Sequence, residues 1–156
     1  MGQIKIACAV ICEQDDRILM VKETREDEGI VLNQPVGKLE LNEDIFEAAR
    51  REFKEETGLE IELTDFLGTY VWLLSNGNTS IRFCFVGRIL GGVLHCKVRD
   101  GNEIIEPLWL TRDDLSATEN QYRNPVTKQC LEDYFSGVRY PLNIIKVLRA
   151  GSDQVN

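Results

Sequence analysis

The sequence predicts a mixed α/β domain. Two observations carry this class: β-branched apolar runs bounded by turn signals, which read as strands, and segments opened by capping residues and closed by glycine, which read as helices. A third bounds the size: 156 residues, 43% apolar and 28% charged, suit one domain with a real core. That domain is expected to cover residues 1–150, with 151–156 as a flexible tail.

Taken in order, Ile4 to Cys12 is β-branched and apolar and reads as a strand. Cys8 and Cys12 lie four apart in it and so share a face. Gln14-Asp15-Asp16 turns the chain, and Arg17 to Glu23 returns as a hairpin partner. Arg25 to Gly29 reads as a charged loop, and Gln34-Pro35-Val36-Gly37 as a break in regular structure. Asn42 to Thr57 predicts a helix with Asn42 as N-cap, acidic Glu43 and Asp44 in its first turn, and Gly58 as its stop. Leu59 to Leu74 has strand character with a bend at Gly68, and Ser75-Asn76-Gly77-Asn78 signals a hairpin into a strand over Thr79 to Leu90. Ile104 to Leu110 is a further strand, and Thr111 caps a short helix through Leu115. Asn124-Pro125 opens a longer helix, to about Phe135, that Gly137 ends.

The net charge of −8 argues against binding to long nucleic acid, which needs a basic footprint. It leaves room for a small phosphorylated substrate, provided divalent cations sit between the two anions. The five cysteines are odd in number and lack a Cys-x-x-Cys, and His95 is the only histidine. Zinc-ligand spacing is therefore absent, and a Ser-His-Asp triad is not expected. The cysteines read as reduced, mostly buried thiols of a cytoplasmic protein. No secretory signal and no apolar window of membrane-spanning length is visible.

The chemistry concentrates on the first predicted helix. On a helical wheel, Ile45, Phe46, Ala49 and Phe53 form the buried stripe, and Glu43, Glu47, Arg50, Arg51 and Lys54 the solvated face. Glu52, Glu55 and Glu56 form a separate cluster related by i, i+3 and i+4, bordering the stripe, with Glu56 inside it. Burying an unpaired charge costs several kcal/mol, and one arginine cannot neutralise three carboxylates. Either these glutamates line a solvated helix edge, or hard divalent cations with oxygen ligands compensate them.

The spacing resembles the Nudix box: Gly, five residues, Glu, seven residues, then Arg-Glu-apolar-x-Glu-Glu-x-Gly-apolar. Gly37, Glu43, Arg51, Glu52, Phe53, Glu55, Glu56, Gly58 and Leu59 occupy every specified position. A chance match in a chain this long is on the order of one in a million. The resemblance implies a Nudix α/β/α sandwich around a mixed β-sheet. It implies that Glu52, Glu55 and Glu56 bind Mg²⁺ (Mn²⁺ as the alternative) with the backbone carbonyl of Gly37. It further implies that a nearby glutamate activates water, that Arg51 holds a glutamate in place, and that Glu43 and Gly58 are structural. A later-loop carboxylate is also expected. Glu103 is the candidate, with a solvated loop glutamate as the alternative.

Asn33-Gln34-Pro35, Arg123-Asn124-Pro125 and the stretch from Ser136 to Leu142 extend a looser similarity to bacterial phosphatases of the same family. That similarity implies hydrolysis of nucleoside tri- and diphosphates, and of thiamine-type pyrophosphates, with phosphate released. The alternatives are a pyrophosphohydrolase of another class, for ADP-ribose or house-cleaning, and an inactive binding module. Candidate substrate contacts are Arg25, Arg82, Arg139 and Tyr140, where Arg82 either points into the site or faces solvent. Tyr70 and Trp72 either stack on a base or pack in the core. Partners are a small nucleotide or pyrophosphate, with no membrane, and the protein is expected as a monomer or homodimer.

Overall fold

The computed structural model describes residues 1–25, 29–99 and 103–151; the side chains of Arg25 and Arg99 and the expected tail at 152–156 lie outside the described residues. The strands are β1 (Ile4–Gln14), β2 (Arg17–Arg25), β3 (Gly29–Asn33), β4 (Val36–Lys38), β5 (Leu59–Leu73), β6 (Thr79–Gly92), β7 (Lys97–Arg99) and β8 (Glu103–Thr111). The helices are α1 (Ile45–Thr57), α2 (Arg112–Ala117) and α3 (Pro125–Phe135). Among the described residues the sheet has the order β5-β6-β1-β2-β8-β7, with β4 added to β1 and β3 to β2. It is mixed, because β1 runs parallel to β6 while the other pairs are antiparallel.

Alternation along β1 divides the core. Cys8, Val10 and Cys12 face α1, where Ala48, Ala49, Phe53 and Phe85 pack with them. Ala9 and Ile11 face the opposite way, onto Val126, Cys130, Leu131 and Tyr134 of α3. The result is the expected sandwich, helices on both faces of one sheet. Burial pushes the Cys8 thiol up to about 12 and the Cys12 thiol up to about 11, so both remain protonated packing groups.

The feature that builds a site is a split in the sheet. β1 and β2 pair only at Glu13↔Ile18 and Gln14↔Arg17, next to their turn. Beyond that they part, and β4 takes the freed edge of β1 while β3 takes that of β2. A cleft opens between the diverging halves.

Three local expectations are corrected. Asn42 is not the N-cap of α1; it sits at φ 65° in a turn, and Asp44 is the cap. The Asp44 carboxylate accepts from the Phe46 and Glu47 amides (2.8 and 2.9 Å), and Glu47 Oε2 accepts from the Asp44 N–H in return, a capping box. Glu43 consequently lies ahead of the helix. Residues 36 and 37 do not interrupt regular structure: Val36–Lys38 pairs with Ala7 to Ala9, because a free edge of β1 outweighs the local turn signal. The strands β3 and β7 are additions, five and three residues long, too short to show a period of their own. The caps at Thr111 and Asn124, the stop at Gly58 (φ 82°) and the irregularity between Phe66 and Gly68 all appear where the sequence put them.

Candidate active site

Helix α1 delivers Glu52 to the wall of the cleft, with Glu55 and Glu56 on neighbouring turns of the helix. Glu56 is fully buried and its Oε1 accepts from the Val36 amide at 3.0 Å, tying the helix to β4. Glu52 is 8% exposed. Its Oε1 accepts from Arg51 Nη1 at 2.7 Å, while its Oε2 is buried with no hydrogen-bond partner among the described residues. Glu55 is 42% exposed and lies between Arg51 and Lys97, at 3.3 Å from each.

Arg51 is the hub of this face. Its Nε and Nη2 bind both oxygens of Glu43 (2.9 and 2.7 Å), and Nη2 also donates to the Lys38 carbonyl at 3.0 Å. A bidentate guanidinium–carboxylate pair is among the stronger polar contacts. The paired guanidinium holds the Glu43 carboxyl below its ordinary value, and the anions around Arg51 raise its own pKa. The arginine therefore orients Glu52 and ties the loop ahead of α1 to the helix.

Gly37 passes directly against Glu52. A Cβ at Gly37 would overlap the Glu52 carboxyl carbon, Oε2 and Cγ, so only glycine lets the β4 backbone approach this closely. A buried, bare carboxylate oxygen costs on the order of 1–3 kcal/mol or more, and a hard cation is the partner that oxygen ligands of this kind suit. The residues present thus fit a divalent ion at Glu52 and Gly37. Glu55 and Glu56 share the ridge as expected. Yet among the described residues no three acidic, histidine or cysteine side chains converge into a ready-made cage.

The cleft has a volume of about 470 Å³. Its lining includes Gly37, Lys38, Glu40 and Glu52 on one side and Glu23, Asn33, Arg82 and Arg123 on the other. Arg82 does not face solvent: it is 5% exposed, and its Nη1 donates to Gln34 Oε1 (2.6 Å) and Asn33 Oδ1 (3.2 Å). Four cations (Lys5, Lys38, Arg82, Arg123) meet three carboxylates (Glu23, Glu40, Glu52) here. The wall carrying Arg82 and Arg123 is therefore cationic relative to the chain's net charge of −8, which favours a small anion on that side.

Other candidates fall elsewhere. Arg139 stacks 4.2 Å over the Tyr134 ring and donates to the Tyr134 and Val138 carbonyls, and Tyr140 pairs its backbone with Phe66; neither lines the cleft. Tyr70 and Trp72 pack against the α3-side core, with the Tyr70 hydroxyl donating to Asp133 at 2.7 Å. Glu103 opens β8 on the side of that strand shared with Ile105 and Trp109, and Trp109 packs toward α1. Arg25 pairs its backbone with Gly29 at the end of β2, and its side chain lies outside the described residues. His95 sits over the C-terminal glycine of α1, away from the cleft. Sequence reasoning missed Arg123 and Glu23. Arg123 stood in the Arg123-Asn124-Pro125 stretch of family similarity but was read there only as a helix start, and its partner Glu23 is a hundred positions away.

Comparison with known proteins agrees with this architecture. The family model of the NUDIX domain matches residues 3–130. Phosphatase NudJ of Escherichia coli (strain K12) is 30% identical over 143 residues, 91% of this chain and 89% of that protein. A NUDIX hydrolase from Nitrosomonas europaea superposes with a TM-score of 0.84 at 38% identity, covering 92% of this chain and 97% of that one. The crystal structure of a MutT NUDIX hydrolase from Burkholderia pseudomallei gives 0.70 at 25% identity, covering 85% and 98%. With the box, the sandwich and the family match in register, this chain belongs to the Nudix hydrolases.

Proposed function

We propose that the chain hydrolyses phosphoanhydride bonds in nucleoside tri- and diphosphates and related pyrophosphates, thiamine-type included, with Mg²⁺ and release of phosphate. The observation that carries this reading is the opposition across one cleft of the bare Glu52 oxygen and two arginines. The similarity to NudJ, a phosphatase by name, supports phosphate release.

Glu52, Glu55, Glu56 and the Gly37 carbonyl would hold the ion; Mg²⁺ keeps several waters and takes few carboxylates, so the lack of a preformed cage suits it. When bound, it neutralises charge on the phosphate oxygens and lowers the pKa of water. Arg51 keeps Glu52 in place. Arg82 binds non-bridging phosphate oxygens, held ready by Asn33 and Gln34. A carboxylate on the α1 face accepts the proton from the attacking water, with Glu52, Glu55, Glu56 and Glu103 as the candidates. A cleft of 470 Å³ suits a small nucleotide and not long nucleic acid.

The test is a panel of nucleotides and pyrophosphates incubated with Mg²⁺, reading phosphate against pyrophosphate. Phosphate from both tri- and diphosphates is expected, and Glu52→Gln should lower turnover by orders of magnitude with the fold retained. Pyrophosphate alone, or an active Glu52→Gln, overturns the reading.

A further inference from the structure

The far wall of the cleft is more tightly built than a general anion site requires. Arg123 Nη1 donates to Glu23 Oε2 at 2.8 Å, and Glu23 is only 3% exposed. The backbone behind it is stapled to β3, where the Arg123 N–H donates to the Leu32 carbonyl at 2.9 Å. Two buried amides join this wall to Arg82. Asn33 Oδ1 accepts from both Arg82 (3.2 Å) and Thr127 Oγ1 (2.8 Å). Gln34 accepts from Arg82 and donates to the Thr127 carbonyl at 2.9 Å. Arg82 on β6 and the start of α3 are thus locked into one network.

A guanidinium offers five N–H donors in a rigid fork, and the Glu23 bond engages one nitrogen of Arg123. Burying a carboxylate beside it is costly, which marks the pair as a positioning device more than a stabilising one. Arginine forks suit groups with several free oxygens in one plane. A terminal phosphate has three unesterified oxygens and close to two negative charges. A phosphate bridged on both sides, by ester or anhydride, has two free oxygens and one charge.

We propose that Arg123, held by Glu23 and seated beside Arg82, is a specificity-determining residue that reads the free terminal phosphate of the substrate. Compounds ending in a free terminal phosphate are thereby favoured over diphosphates capped at both ends by sugars. This inference rests on the hydrolase reading above and deepens it.

The test uses the full chain with Mg²⁺, and inorganic phosphate, ADP and ADP-ribose (the last two as their non-hydrolysable α,β-methylene analogues, so that nothing turns over) as probes for calorimetry. The wild type should bind ADP more tightly than ADP-ribose. Arg123→Ala should reduce that preference roughly 10- to 100-fold and weaken phosphate binding similarly. Arg123→Lys keeps the charge beside Glu23 and loses the fork, so it should fall between the two, and it serves if the alanine variant unfolds. A preference that survives both variants, or a wild type that binds ADP-ribose as well as ADP, overturns the proposal. Neither result touches the hydrolase reading, which fails separately if the Mg²⁺ panel yields no phosphate.

Discussion

Gly37→Ala probes the closest approach in the site. The added methyl would overlap the Glu52 carboxyl itself. β4 cannot retreat freely, because it pairs with β1 and the Val36 amide is bound to Glu56. Glu52 must therefore rotate, breaking its 2.7 Å bond to Arg51. Overpacking of this kind costs about 1–3 kcal/mol. For a chain of this size each kcal/mol lowers Tm by about 2–4 °C. Activity should suffer more, since displacing a reacting group by about 1 Å can cost around a hundredfold in rate. Gly91→Ala is the control, because a Cβ there meets nothing within 4 Å; it should shift stability by no more than about 0.5 kcal/mol. The assay is Mg²⁺-dependent phosphate release alongside thermal melts. If Gly37→Ala keeps turnover and metal response within about twofold of wild type, the close approach has no functional meaning.

Two further outcomes concern stability. Asp44→Ala removes the side-chain cap of α1 and its bond to Arg149, and should cost about 1–2 kcal/mol in urea unfolding; an unchanged midpoint would contradict the capping assignment. Glu43 has its pKa lowered by the Arg51 bond from an ordinary value of 4.5. Its contribution is thus present above 4.5 and lost as pH falls through the depressed folded value. The stability gap between wild type and Glu43→Gln should be constant near neutrality and shrink in acid, and a gap that widened in acid would refute the pairing.

The sequence by itself determined the parts governed by local rules. The β-branched apolar run of β1, the Ser75–Asn78 turn, the Gly58 stop and the ridge of Glu52, Glu55 and Glu56 each depend on residues within a few positions of one another. Their spacing was also enough to identify the family. Tertiary structure decided the rest. It alone parts β1 from β2, so it alone turns Val36–Lys38 into a strand and opens the cleft. It sets Glu52 against Gly37, fifteen residues earlier along the chain, and leaves one carboxylate oxygen bare. It brings Arg123 to Glu23 across a hundred residues and swings Arg82 inward. Arg139 and Tyr140, candidates on the same footing of family similarity, lie instead at the C-terminal end of α3 and against Phe66 of β5. The division is physical: local spacing fixes which side chains share a face of a helix or strand. Which faces meet depends on long-range strand pairing and core packing, whose partners carry no local mark.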